Sequence, residues 1–335
     1  MMNRILVSVV MCVYNTPKEY LDEAVRSILN QTHKELELII VDDASDIELY
    51  DDKLYTDTRI VLVRNDTNLG PAESRNRAFE IAKGKYIAIM DSDDISEIER
   101  LSRQIEYMEN NKDVVACGTW FQQFGDKQNT VTREIDDNEY YRCCLLFGNA
   151  PTILNPSVML RKSVLDEYEI CYDLRLRKAE DYKMWVQLSA IGKCTNIHEV
   201  LLNYRVHNNQ TSQILRTKDV SDYDWVVMKE QYDALGIKLS DEDEAMLRKD
   251  FRRVDVEAYT YFKWLQRLLE ANKQKEIYQQ DKLNMRIEEQ WTQKIYNLKN
   301  PIHLLNLMKC LNKVQRKFVI QVEIQRTWNK ITRKR

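Results

Sequence analysis

In the N-terminal part of this 335-residue chain, apolar runs of strand length alternate with amphipathic stretches of helical period, and no other feature limits the fold as much. Strand, helix and next strand repeated in this way close as crossover units, so the pattern calls for an α/β fold with a mixed, mostly parallel sheet covered by helices. Residues 5–14 read as the first strand. Pro17 follows where a first helical turn accepts proline, and Leu21, Ala24, Val25, Ile28 and Leu29 recur at helical spacing. Residues 36–41 and 60–63 are strands, 72–82 a helix and 86–90 a further strand. Two of these strands run straight into acids: Asp42-Asp43, and Asp91-Ser92-Asp93-Asp94.

Open parallel sheets bind ligands in the crevice beyond the carboxyl ends of their strands. A single Asp or Ser there is ordinarily a cap or a turn former. Three acids within four residues are a different matter, because they repel one another and a bound cation would remove that cost.

Further along, residues 114–124, 157–160 and 201–205 read as strands, and 137–147 and 180–190 as helices. From about residue 217 the pattern is almost purely helical, with Gly236 and Pro301 as its breakers. A division at 216/217 is therefore expected, an α/β part followed by a helical region. The end of that region, residues 292–335, carries eleven lysines and arginines against a single acid, Glu323, interleaved with apolar residues such as Leu304, Leu307 and Phe318. Such a tail suits an anionic membrane surface, or it packs on its own domain with a solvated basic face; the sequence leaves both open.

The net charge of −3 argues against a dedicated nucleic-acid binder. Seven cysteines without a C-x-x-C spacing suit buried thiols in a reducing compartment. The first apolar run is far too short to span a bilayer and lacks a cleavage site, so a cytoplasmic location is expected. There is no G-x-G-x-x-G; Gly84-Lys85 and Gly192-Lys193 lack the P-loop continuation; and His198-Glu199 lacks a second His.

What remains is an ordered string of polar groups: Val13-Tyr14-Asn15, Asp42-Asp43-Ala44-Ser45, Asn68-Leu69-Gly70 leading to Ser74-Arg75-Asn76, Asp91-Ser92-Asp93-Asp94, Ala179-Glu180-Asp181-Tyr182, and Tyr204-Arg205-Val206-His207. In this order the blocks resemble the family 2 inverting glycosyltransferases of the GT-A fold, over about residues 5–212. Within that family the likeness is to bacterial capsule and lipooligosaccharide transferases of the β-1,3-galactosyl and N-acetylgalactosaminyl type.

The resemblance implies a division of labour. Asp93 would hold Mn2+ or Mg2+ with His207 nearby, and Asp91 and Ser92 would face the donor ribose or the metal shell. Val13, Tyr14 and Asn15 would flank the uracil of a UDP-sugar, Asp42 would accept its N3 hydrogen, and Arg75 would meet phosphate. Asp181 would be the general base on the acceptor hydroxyl, since an inverting displacement needs that proton removed. Glu180 and Trp185 would line the acceptor, although a tryptophan one helical turn along is as readily core. One departure is Ala44, where the family more often has glycine; alanine is tolerated there unless the turn needs a positive φ. The implied partners are a UDP-sugar and a growing glycan or lipid-linked glycan at the inner membrane face, with homo-oligomerisation compatible and no nucleic acid. A nucleotidyltransferase would need a Gly-rich basic loop, which residues 11–16 do not supply. A non-catalytic glycan-binding scaffold would have no use for the acids.

Overall fold

The computed structural model describes residues 5–46, 53–148, 153–176, 178–207, 220–249, 257–298, 301–311 and 315–323. Strand β1 (Val7–Val13) is buried on both faces, which is why its sequence is a continuous apolar run rather than an alternation. Proline at position 17 starts α1 (Lys18–Leu29), whose Leu21, Ala24, Val25 and Ile28 are fully buried in one core with Val7, Val9 and Met11. Each of these side chains except Ala24 contributes about 1.5–3 kcal/mol of burial. Strand β2 (Leu36–Asp42) lies parallel to β1, and β3 (Ile60–Arg64) lies parallel to β2. Helix α2 (Pro71–Ile81) then crosses over to β4 (Tyr86–Asp91), which is parallel to β1 on its other side.

The chain continues through β5 (Ile95–Ser96), α3 (Arg100–Asn110), β6 (Val114–Gly125), β7 (Asn129–Val131) and α4 (Asn138–Leu145). Next come β8 (Met159–Arg161), α5 (Lys162–Glu167), α6 (Glu180–Ile191) and β9 (Lys193–Val206). Among the described residues these nine strands form one mixed sheet in the order β3-β2-β1-β4-β8-β6-β9-β5, with β7 paired to β6. Its inner strands β1, β2 and β4 are mutually parallel, whereas β8 is antiparallel to both β4 and β6. Strand β9 is longer than the run at 201–205 announces. Its first half is polar in sequence, but Thr195 Oγ1 donates to the Ile135 carbonyl at 3.1 Å and Asn196 Nδ2 to that of Arg133 at 2.9 Å, so the donors of both buried side chains find partners, while Asn196 Oδ1 is buried with none.

The chain forms two compact units, one of Met1–Tyr141 with Asn149–Leu215, the other of Arg142–Gly148 with Arg216–Arg335. The second is helical: α7 (Asp222–Ala234), α8 (Asp241–Leu247), α9 (Ala258–Lys275), α10 (Gln280–Asn297) and α11 (Pro301–Cys310). Ser221 and Ser240 cap α7 and α8, the latter in a capping box with Asp243. Tyr232 and Trp264 meet edge to face in its core at 5.0 Å, and the Tyr232 hydroxyl donates to the Leu146 carbonyl at 3.0 Å. Val319 and Val322 are buried while Arg316 and Lys317 are exposed, so this stretch of the basic tail covers its apolar side. Arg326, Lys330, Arg333, Lys334 and Arg335 lie outside the described residues. Among the described residues no helix is long and apolar enough to cross a membrane.

Candidate active site

In the sheet register Val13 faces Asp42 and Cys12 faces Asp91, so acids stand on both sides of the end of β1, with strands about 4.8 Å apart. At the end of β2 every carboxylate is committed. Asp42 is fully buried; its Oδ1 accepts from the Ser45 amide at 2.9 Å and its Oδ2 pairs with Arg64. Asp43 accepts from Asn65 Nδ2 and from the amides of Leu69 and Gly70, each at 2.8 Å. These bonds hold the entry to α2, where Gly70 has a φ of 89° that glycine adopts without strain. Asn15 Nδ2 donates to Asp46 Oδ2 at 2.7 Å, and the Asp46 backbone amide donates back to Asn15 Oδ1 at 2.8 Å. Tyr14 is half exposed at the rim.

The end of β4 is different. One carboxylate oxygen each from Asp91, Asp93 and Asp94 lie within 4.8 Å of one another. Burial, then the charges of Asp93 and Asp91, drive the Asp94 carboxyl well above its ordinary range. Asp91 is likewise raised, by burial and by Asp93, against the pull of Arg75. Asp94 Oδ1 accepts from the Arg205 amide at 2.8 Å, but its Oδ2 is buried with no partner. Crowded carboxylates with an unspent buried oxygen are the donor set a hard divalent cation takes, so these residues fit such a metal. His207 Nε2 lies 2.9 Å from Asp93 Oδ2, within reach of the same place. The segment carrying it is tied down by Arg205, whose Nε donates to the Asp93 carbonyl at 2.7 Å and whose guanidinium lies between the rings of Tyr20 and Phe124, at 4.0 and 4.4 Å. Residues 208–212, which continue the block with His207, lie outside the described residues.

Opposite these acids stands the start of α6. Glu180 and Asp181 occupy its first turn, where the helix dipole favours negative charge. Arg75 reaches both sides, with Nη2 on Asp91 Oδ1 and Nη1 on Glu180 Oε1, each at 3.3 Å. Asp181 lies within electrostatic reach of Arg133, Tyr141 and Tyr172. Burial pushes the Cys12 thiol up to about 12, so it offers no thiolate nucleophile beside the crevice.

The structure thus gathers Val13, Tyr14, Asn15, Asp42, Arg75, Asp91, Ser92, Asp93, Glu180, Asp181 and His207 around the carboxyl ends of β1, β2 and β4. Trp185 requires a correction. It is fully buried, its indole enclosed in the core behind α6, and it offers no surface to an acceptor. Glu180 is turned onto Arg75 rather than left open, and Arg75 is only 9% exposed with two carboxylates already in hand. Ala44 does sit at a φ of 60°, so the turn needs the very conformation in which alanine is strained. Asp94, Arg205, Arg133 and Tyr172 belong to the surroundings of the site without having been singled out as site residues. Asp94 was legible as the third acid of its run and Arg205 as a member of the block with His207, whereas Arg133 and Tyr172 join the site only through tertiary contacts.

A mixed, largely parallel sheet with carboxylates gathered at its strand ends is the arrangement in which an α/β fold binds a ligand, and it agrees with the GT-A fold expected from the sequence. The profile of "Glycosyl transferase family 2" matches residues 8–169. An uncharacterized glycosyltransferase of Methanocaldococcus jannaschii is 38% identical over 231 residues, covering 66% of this chain and 79% of that protein. The Escherichia coli UDP-Glc:α-D-GlcNAc-diphosphoundecaprenol β-1,3-glucosyltransferase WfaP is 32% identical, covering 62% and 80%. The putative teichuronic acid biosynthesis glycosyltransferase TuaG of Bacillus subtilis is 30% identical, covering 62% and 81%. The chain belongs to glycosyltransferase family 2. Among solved structures, residues 1–349 of S. aureus TarS, in complex with UDP-GlcNAc, superpose with a TM-score of 0.58 over 87% of this chain and 88% of that one; at 17% identity this likeness speaks for the fold alone.

Proposed function

We propose that this chain is a metal-dependent, inverting hexosyltransferase that moves a sugar from a UDP-hexose to a hydroxyl of a growing surface glycan, working at the inner face of the membrane. The observation that carries this reading is the acidic corner Asp91, Asp93 and Asp94, with its unspent buried oxygen, bridged by Arg75 to the Glu180–Asp181 turn. In this reading Asp93 and His207, with Asp91 and Asp94 beside them, hold Mn2+ or Mg2+. Such an ion supplies Lewis-acid stabilisation of the charge developing on the departing diphosphate. Tyr14 offers its exposed ring to the uracil, and Val13 and Asn15 shape the same wall. Asp42 receives the N3 hydrogen as Arg64, itself half exposed, swings aside. Asp181 takes the proton from the acceptor hydroxyl as that oxygen attacks the face of the anomeric carbon opposite the diphosphate.

Relatives name different sugars: WfaP is a UDP-Glc enzyme and TarS was solved with UDP-GlcNAc. The motif likeness favours galactose or N-acetylgalactosamine, so all four UDP-hexoses belong in the screen. The discriminating experiment is a thermal-shift panel of UDP, GDP, CDP and dTDP with and without Mn2+. A ligand at a hundredfold its Kd adds about 2.7 kcal/mol to apparent stability. A Mn2+-dependent shift confined to UDP supports the reading. No shift with any nucleotide moves a non-catalytic scaffold to the front. For the basic tail, a chain ending at residue 323 keeps the buried Ile295, Leu307, Val319 and Val322 that a cut at 292 would remove. It should no longer co-sediment with anionic vesicles; if it still does, the last residues are not the membrane contact.

A further inference from the structure

Asn76 is part of the block that marks the family likeness, yet it touches none of the acids. Its side-chain amide instead pairs with the backbone of Tyr172, Nδ2 donating to the Tyr172 carbonyl and Oδ1 accepting from the Tyr172 amide, both at 2.8 Å. Tyr172 is 1% exposed. Its hydroxyl donates to Asn155 Oδ1 at 2.9 Å, and its ring packs on Phe79 at 5.6 Å. One helix, α2, therefore fixes this tyrosine through Asn76 and Phe79. The third α2 residue in contact with it is Arg75, whose guanidinium lies 5.4 Å from the ring centroid. From that seat Arg75 reaches Asp91 on the donor side and Glu180 on the acceptor side. Both bonds are 3.3 Å, longer than the usual charge-assisted contact of about 2.8 Å, as befits one planar group stretched between two carboxylates.

The geometry points to Arg75, seated on Tyr172 and clamped through Asn76, as a positioning strut that sets the spacing between the donor-side acid Asp91 and the base Asp181. It acts through Glu180, the neighbour of Asp181 in the first turn of α6, and not as a ligand of the donor phosphates. This rests on the reading of Asp181 as the base. The guanidinium uses two of its five N–H donors on carboxylates and one face on a ring, and at 9% exposed it is enclosed among these partners rather than presented to a phosphate. Misplacing a general base by a fraction of an ångström lowers turnover while leaving nucleotide binding intact.

The test uses the full chain with Mn2+, comparing kcat, donor KM, UDP Kd and Tm for Arg75→Lys, Tyr172→Phe and Tyr172→Leu. Lysine keeps the charge but cannot span two carboxylates, so kcat should fall by about a hundredfold with UDP Kd within about twofold of wild type. Tyr172→Phe keeps the ring beneath the guanidinium and should retain kcat within about fivefold, whereas Tyr172→Leu should lose about tenfold or more. Adding Glu180→Gln to Arg75→Lys should cost little further, because the two act as one unit. If UDP Kd weakens in step with kcat, Arg75 is a phosphate ligand and the strut is wrong. If the losses track the folded fraction at assay temperature, or if Phe and Leu at 172 behave alike, the role is merely structural and the inference fails. If wild type binds no UDP and turns over no UDP-hexose, the functional reading itself falls and takes this one with it.

Discussion

At the end of β2, Asp42 and Asp43 commit their carboxylates to Ser45, Arg64, Asn65, Leu69 and Gly70. At the end of β4, on the other side of β1, Asp91, Asp93 and Asp94 crowd together and leave Asp94 Oδ2 with no partner. In sequence the two corners are alike, a buried strand running into acids. What separates them is the count of amides and cations that the surrounding loops aim at each oxygen. A carboxylate spent on the side chains and amides of its own loops, as at Asp43, braces a turn; Asp42 Oδ2, held by the half-exposed Arg64, stays open to exchange, and a crowded carboxylate is available for a ligand.

Turnover gives the hardest test of this contrast. Asp93→Asn should lower transfer by about a thousandfold or more while leaving the fold intact, because its side chain is partly exposed and removes repulsion rather than support. Asp181→Asn should cost about a hundredfold to ten-thousandfold in kcat with UDP affinity unchanged. If Asp93→Asn instead lowers the Tm and keeps its turnover, the two corners have been read the wrong way round. Asp43→Ala should do the reverse of Asp93→Asn, costing about 2–4 kcal/mol in chemical denaturation, since it strips the partners from Asn65 and from two backbone amides.

The corners should also part in their response to pH. Asp91 and Asp94 are raised in the folded chain, so between the ordinary carboxylate range and those raised values the folded state holds protons the unfolded state has released. Metal-free stability should fall as pH rises through that window, and Mn2+ should flatten the fall. Tm measured from about pH 4 to about pH 8 with Mn2+ or with chelator checks this, and parallel curves would show that the acids do not hold the ion. The smallest effect expected is at Ala44→Gly, which should stabilise by up to about 1 kcal/mol, because relief of the left-handed strain exceeds the added backbone entropy.

Much of the first half of the sheet was legible from period and apolarity alone, because β1, β2 and β4 are buried on both faces and must be nearly all apolar. The strand-end acids followed from where those runs stop. The first half of β9 was not legible, since Thr195 and Asn196 look like loop residues until Ile135 and Arg133 supply their partners. Nor was the burial of Trp185, whose helix has apolar residues on more than one side and so gives no clean face to read. The link from Arg75 to Glu180 spans more than a hundred positions, and no local rule reaches that far.

The grip of Arg205 on the acidic turn bears on how the protein can be cut. Residues 8–169, the part that carries the family profile, end before β9, so an excised piece of that length would lack the amide that holds Asp94 Oδ1, the donor to the Asp93 carbonyl, and the strand that pairs with both β5 and β6. Such a fragment would expose a long open edge of sheet and release the turn on which the chemistry depends. The shortest excised piece that keeps the crevice intact therefore runs at least through His207, and the recognisable signature of the family is smaller than the smallest working machine.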